Sequence, residues 1–159
     1  MNRSLHQQAI VIDGHCDTLL RWQMQESRIL PMPPRAPETQ GHIDLARLQE
    51  GGVTAQNFAC YILPPFLPAQ ATHHTLAMID LFYRQVDEHP DALCLATCAD
   101  DILRAKEQGM VAGLLSLEGA EGLQGSLATL RLLYRLGVRW IGLTWNHRNQ
   151  AADGLGQAR

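Results

Sequence analysis

Residues 9–17 read Ala9-Ile10-Val11-Ile12-Asp13-Gly14-His15-Cys16-Asp17, an apolar run that turns polar without a break. The run from Ala9 to Asp13 has the composition of a strand. Strand side chains alternate, so His15 and Asp17 point the same way, about 7 Å apart along the axis, and Cys16 points away from them. An imidazole and a carboxylate aimed into one space at the end of a buried strand are the beginning of a metal site. The structural alternative is a polar strand end, with Asp13 and Gly14 shaping a turn. Two ligands alone do not decide between these readings.

Outward from that motif, strand and helix signals alternate. A proline-rich stretch over residues 23–41, with Pro31, Pro33, Pro34 and Pro37, reads as an irregular loop that begins near Trp22. Asp44 is placed to cap a short helix through Glu50, stopped by Gly51-Gly52. Val53 to Ile62 reads as a second strand, closed by Pro64-Pro65. Thr72 is placed to cap a longer helix to about Glu88, with Leu76, Ile79, Phe82 and Val86 on one face. Leu93 to Ala96 reads as a short strand, and Asp100 as the cap of a helix to about Gln108 that Gly109 ends. Val111 to Leu117 is a continuous apolar strand followed by Glu118. Ser126 caps a helix to Leu136, and Val138 to Thr144 is a strand ended by Trp145-Asn146-His147. Apolar strands separated by helical patterns predict an α/β fold of parallel β/α units. Neither a repeat nor a linker interrupts them, so residues 1–159 read as one domain.

Composition excludes several classes of function. A length of 159 residues with 46% hydrophobic content suits one globular core. The net charge is −3 and no basic stripe occurs, which excludes nucleic acid as the main partner. Nothing approaches the ~20 apolar residues that cross a bilayer. Met1-Asn2-Arg3-Ser4 is not followed by an apolar signal core, so a cytoplasmic protein is expected. Cys16, Cys60, Cys94 and Cys98 form no C-x-x-C pair and are expected to be free thiols.

Polar residues recur just past the apolar runs: His15 and Asp17, then Glu118, then His147. In parallel β/α folds the carboxyl ends of the strands build the ligand site, so these four groups would converge. Singly, Glu118 could cap the turn at Gly119, and His147 could be a hydrogen-bonded loop histidine beside Asn146 and Arg148. Taken together they favour a metal or catalytic site. His42-Ile43-Asp44 repeats the His-x-Asp spacing but precedes a helix, where Asp44 serves as a cap. His73 and His74 open a helix beside a loop and are expected to be solvated. The stretch from Glu118 to Gly125 lacks the glycine patterns that cradle phosphates.

Four blocks carry a resemblance to a known family. They are Asp13-Gly14-His15-x-Asp17; His42-x-Asp44-Leu45-x-Arg47-Leu48 with Gly51-Gly52-Val53; Ser116-Leu117-Glu118-Gly119; and Leu130 to Asn149. In this order they resemble the renal-type, or membrane, dipeptidases, which are zinc metallopeptidases built on a (β/α)8 barrel. The resemblance implies that His15 and Asp17 bind one zinc and that Glu118 bridges it to a second. It implies that His147 binds substrate and polarises the scissile carbonyl of a dipeptide, which a metal-bound hydroxide attacks. The second metal's histidines and the acidic proton-transfer residue lie further along in family members than any position here.

A (β/α)8 barrel typically takes ~250 residues and eight strands, and four main units are legible here. The chain therefore reads as the N-terminal half of such a barrel, with an open sheet edge and an exposed apolar interior. On its own it is expected to bind zinc weakly and to lack peptidase activity, and pairing with another copy as a homo-oligomer is one way to cover the open edge. Two other readings stay open at this level. One is another metal-dependent amidohydrolase, although His-x-His openings are commoner there than His15-x-Asp17. The other is a non-catalytic folded fragment that acts as an oligomerising module.

Overall fold

The computed structural model describes residues 4–24 and 42–156. Most of the proline-rich stretch, residues 25–41, lies outside the described residues. Five parallel strands form one sheet: β1 (Ile12–Cys16), β2 (Ala55–Tyr61), β3 (Leu93–Leu95), β4 (Val111–Glu118) and β5 (Val138–Ile141). The helices are α1 (Leu5–Gln8), α2 (Thr18–Met24), α3 (Leu45–Glu50), α4 (Ala71–Glu88), α5 (Ala99–Gln108) and α6 (Leu127–Arg135). Strand β1 pairs with β2, and β2 with β4. The far edge of β4 is shared, its first residues pairing with β3 and Leu115 to Leu117 with β5. The order β1-β2-β4-β5 thus follows the chain, as in the wall of a (β/α)8 barrel, and β3 fills the edge below β5.

The two faces of the sheet do different work. Gln56, Phe58 and Cys60 of β2 point one way, and Ala55, Asn57, Ala59 and Tyr61 the other. On the first face Phe58 packs between Trp22 of α2 and Phe82 of α4, with ring centroids 6.4 and 5.4 Å away. This outer side is the main core. Gly113 of β4 belongs to it, and a β-carbon there would run into the Phe82 ring, so glycine sets how closely α4 approaches the sheet. On the inner face Ala55, Ala112 and Leu114 pack with Ala96 and with Ala105 of α5, which closes the amino-terminal end of the strands. Ile12, paired with Ala55, and Trp140, paired with Ser116, also lie on this face and are 49% and 48% exposed.

Several local expectations hold. Asp44 caps α3 by accepting a hydrogen bond from the Arg47 amide at 2.8 Å, and Ser126 caps α6 through the Thr129 amide. Gly109 ends α5, and all four cysteines are free. Others shift. The first strand starts at Ile12, three residues later than the apolar run suggests, because Val11 is occupied by Thr54: its amide donates to the Thr54 hydroxyl and its carbonyl accepts from the Thr54 amide. Trp22 lies in helix α2, held by its stacking on Phe58.

Helix α4 starts at Ala71 with no side-chain cap, because the Thr72 hydroxyl donates to the Gly122 carbonyl at 2.8 Å instead. That tie rolls the buried face onto Thr75, Met78, Ile79 and Phe82 and leaves Leu76 exposed. His74 is half-buried, stacked on Phe66 with centroids 3.9 Å apart, so it is not the solvated residue expected. At α5 the reach-back comes from Asp101, not Asp100. Its carboxylate accepts from the Thr97 and Cys98 amides, which hold its carboxyl down at about 2. Strand β5 ends at Ile141, where Gly142 turns to donate its amide to the Leu117 carbonyl.

The Gly113–Phe82 contact yields a direct expectation. Gly113→Ala overpacks the joint between β4 and α4 and should destabilise the fold by about 1–3 kcal/mol. Urea unfolding monitored by tryptophan fluorescence measures it, and an unchanged midpoint would contradict the close approach.

Candidate metal centre

The register of β1 is broken at the motif. Asp13 pairs with Gln56 and Cys16 with Phe58, so Gly14 and His15 together oppose the single residue Asn57. This is a β-bulge, which adds one residue to a strand and re-aims the side chains after it. Without it, strict alternation from Asp13 would send His15 to the helix side and Cys16 inward. With it, Cys16 enters the outer core at 7% exposure, where burial raises its thiol, and His15 turns to the inner face. Asp13 supports the turn by accepting the His15 amide at 3.0 Å.

Three groups meet at the carboxyl end of the inner face. His15 Nε2 lies 3.4 Å from Asp17 Oδ1 and 3.5 Å from Glu118 Oε2. One ligand atom from each of the three falls within 4.8 Å of the others, and they form the one such group of three among the described residues. The separations are informative. A charge-assisted hydrogen bond closes to about 2.7–2.9 Å. Two ligands each about 2.1 Å from a tetrahedral zinc stand about 3.4 Å apart. The contacts are too long for the first and match the second. One imidazole nitrogen and two carboxylate oxygens are also a donor set that zinc accepts, so the residues fit a metal.

Electrostatics agree with a cation-seeking site. Burial pushes the Glu118 carboxyl above its ordinary range, nearby His15 counteracts this, and the Asp17 charge adds to it. Tyr61 is the register partner of Glu118 across β2 and β4. Burial raises its phenol, as do the charges of Glu118, Glu121 and Asp17. Its ring meets Trp145 edge-on at 5.0 Å. A tyrosine at a strand end carries neither the charge nor the imidazole that marks His15, Asp17 and Glu118 in the sequence. Its signal was its position, the last residue of β2 on the inner face. Gly119, at φ +91°, a backbone conformation that L side chains rarely adopt, follows Glu118, and the Glu121 carboxylate folds over its open side.

His147 stands apart from the three-residue cluster. It lies six residues beyond the end of β5, in a loop stitched by Asn149 Nδ2 donating to the Leu143 carbonyl and by an Arg148–Asp153 ion pair. It is exposed and lines a cavity of about 490 Å³ with Pro64, Leu67, Pro68, Glu121 and Asn149. The cavity brings the loops after β2, β4 and β5 to one wall.

With this geometry in hand, the comparisons with known proteins are specific. A family model described as membrane dipeptidase, peptidase family M19, matches residues 1–159. The chain belongs to that family. An uncharacterized dipeptidase of Schizosaccharomyces pombe is 35% identical over 156 residues, covering 91% of this chain and 38% of its own length. Dipeptidase ataJ of Aspergillus terreus is 31% identical over 121 residues, covering 71% of this chain and 30% of its own. Among solved structures, the dipeptidase AC, a metallopeptidase of family M19, aligns with a TM-score of 0.76 at 28% identity over 86% of this chain and 43% of its own. The chain therefore spans about a third of the length of the curated relatives it matches. No described helix is long and apolar enough to cross a membrane.

The raised Glu118 carboxyl gives a stability signature for the metal-free protein. A raised acid favours folding below its unfolded value, near 4.5, and that contribution is lost as pH rises through the folded value. Glu118→Gln, which stays neutral, should therefore unfold at a higher temperature than wild type at pH 7. The gap should close as pH falls to 4.5 and below. Thermal scans across pH 4–7.5 without metal check this, and a constant gap would contradict it.

Proposed function

We propose that this chain is the zinc-binding part of a dipeptidase barrel, with His15, Asp17 and Glu118 as metal ligands and His147 as the substrate-polarising group. The observation that carries the reading is the pair of separations, 3.4 and 3.5 Å, at which His15 Nε2 stands from the two carboxylates. They suit ligands around a shared tetrahedral ion better than a hydrogen-bonded salt bridge. Family membership gives that ion a use, because the relatives carry dipeptidase names.

A bound zinc supplies a Lewis acid and lowers the pKa of a water from 15.7 toward about 7. The chain's own residues do the rest. His15 would contribute a ring nitrogen, and Asp17 and Glu118 one oxygen each. Glu118 would also be the residue shared with a second ion, as the family resemblance implies. His147 would offer an imidazole to the carbonyl of a dipeptide, and the cavity it lines presents apolar surface from Pro64, Leu67 and Pro68. Tyr61, the register partner of Glu118, and Trp145 stand edge to face beside it.

Calorimetry tests the ligand set. Wild type should bind about one zinc per chain. Glu118→Gln should lose at least tenfold in affinity, since even outer partners of a metal act on that scale. Equal binding by the two proteins would remove the reading. In a dipeptide assay the 159-residue chain alone should show negligible turnover, because one three-ligand cluster is found among its described residues. Robust turnover would show that these ligands and His147 suffice.

A further inference from the structure

The β-bulge leaves one backbone group in β1 to be accounted for. At a bulge the ladder is interrupted, and the extra residue's polar groups must find partners elsewhere. The Gly14 carbonyl finds one in a side chain: Asn57 Nδ2 donates to it at 2.9 Å. The same nitrogen donates its second proton to Ser116 Oγ on β4, also at 2.9 Å. A carbonyl can only accept, so the Gly14 contact fixes which end of the amide faces β1. The Ser116 contact then fixes the plane of the amide. Asn57 is 3% exposed and Ser116 6%, so water competes little for either bond.

We infer that Asn57 is a positioning residue for the metal site, acting with Ser116 as a crossbar that holds the bulge in β1 and so aims His15 at Glu118. The inference rests on the metal reading above but concerns residues that touch no metal. Its geometry is economical. Asn57 is the residue that Gly14 and His15 jointly oppose, so the amide sits where the extra residue must be accommodated. Ser116 is two residues before Glu118 on the same strand and the same face. The crossbar therefore joins the strand that carries His15, at His15's own register position, to the strand that carries Glu118, one inward-facing position before it. If the bulge relaxed to regular pairing, His15 and Cys16 would exchange faces. A polar tie that favours the bulged register thus decides whether an imidazole or a thiol faces the site.

The test uses the full chain with zinc and, in parallel, without metal. Asn57→Leu keeps the volume and removes both donors, and Ser116→Ala removes one acceptor. Asn57→Leu should weaken zinc binding about tenfold, the lower end for outer partners of a metal. Ser116→Ala should weaken it by less, since the Gly14 bond survives. In the metal-free protein, nuclear Overhauser contacts between the His15 ring and the Glu118 side chain should be present in wild type and lost in Asn57→Leu.

A folded Asn57→Leu with wild-type affinity and intact contacts overturns the inference, even if its melting temperature falls, because the residue would then be a structural brace only. If Asn57→Leu does not fold, Ser116→Ala is judged by the same two readings. Failure of wild type to bind zinc would sink the metal assignment instead. The Overhauser contacts would then still decide whether Asn57 positions His15.

Discussion

One extra residue in the first strand governs the chemistry of this chain. Gly14 and His15 share the place opposite Asn57, and from that point every side chain of β1 lies on the face opposite to the one regular pairing would give it. Cys16 goes to the helix side and completes the packing around Phe58, while His15 goes to the inner side and meets Glu118. The two outcomes are coupled, because beyond the bulge successive side chains again alternate between the faces. Outer core and inner site therefore depend on the same register.

The sheet resolves this coupling by dividing labour along its length as well as across its faces. At the amino-terminal end of the inner face, small apolar residues (Ala55, Ala112, Ala105) let α5 come close and seal the layer. One layer up sits the polar crossbar of Asn57 and Ser116. The carboxyl end carries Tyr61, Glu118 and His15, where His15 Nε2 stands 3.4 and 3.5 Å from the Asp17 and Glu118 carboxylates. Burial there raises the Glu118 carboxyl, and the Asp17 charge adds to the shift. Two carboxylates gathered around one imidazole disfavour each other's charged forms, and a cation there would favour them, as the proposed metal role requires.

Much of this was legible in the sequence, for identifiable reasons. The continuous apolar run Val111 to Leu117 has one sensible reading, a strand covered on both faces, and the observed β4 follows it through Glu118. Asp44 and Ser126 announced their helices because capping is a local interaction between residues three apart. What escaped was whatever depended on a distant partner. Thr72 has the chemistry of a cap, yet Gly122, fifty residues later, takes its hydroxyl and turns α4 by part of a residue. The first strand was read three residues early because Ile10 and Val11 look buried in isolation, whereas Thr54 holds Val11 at the strand's entrance and Ile10 is 47% exposed.

The candidate site divides along the same line. The partnership of His15 with Asp17 could be derived from alternation because two residues suffice to define it, and the convergence of Glu118 followed from the rule that parallel strands present their carboxyl ends together. Alternation was nevertheless right about Cys16 for an incomplete reason. It gives the relation between neighbours but not the absolute phase of a strand, and here the bulge sets the phase. Sequence pattern near a bulge thus predicts which residues travel together and leaves open which way they face. That second question is answered by a hydrogen bond from another strand, and Asn57, forty-three positions from Gly14, carries no mark in the sequence that it would supply one.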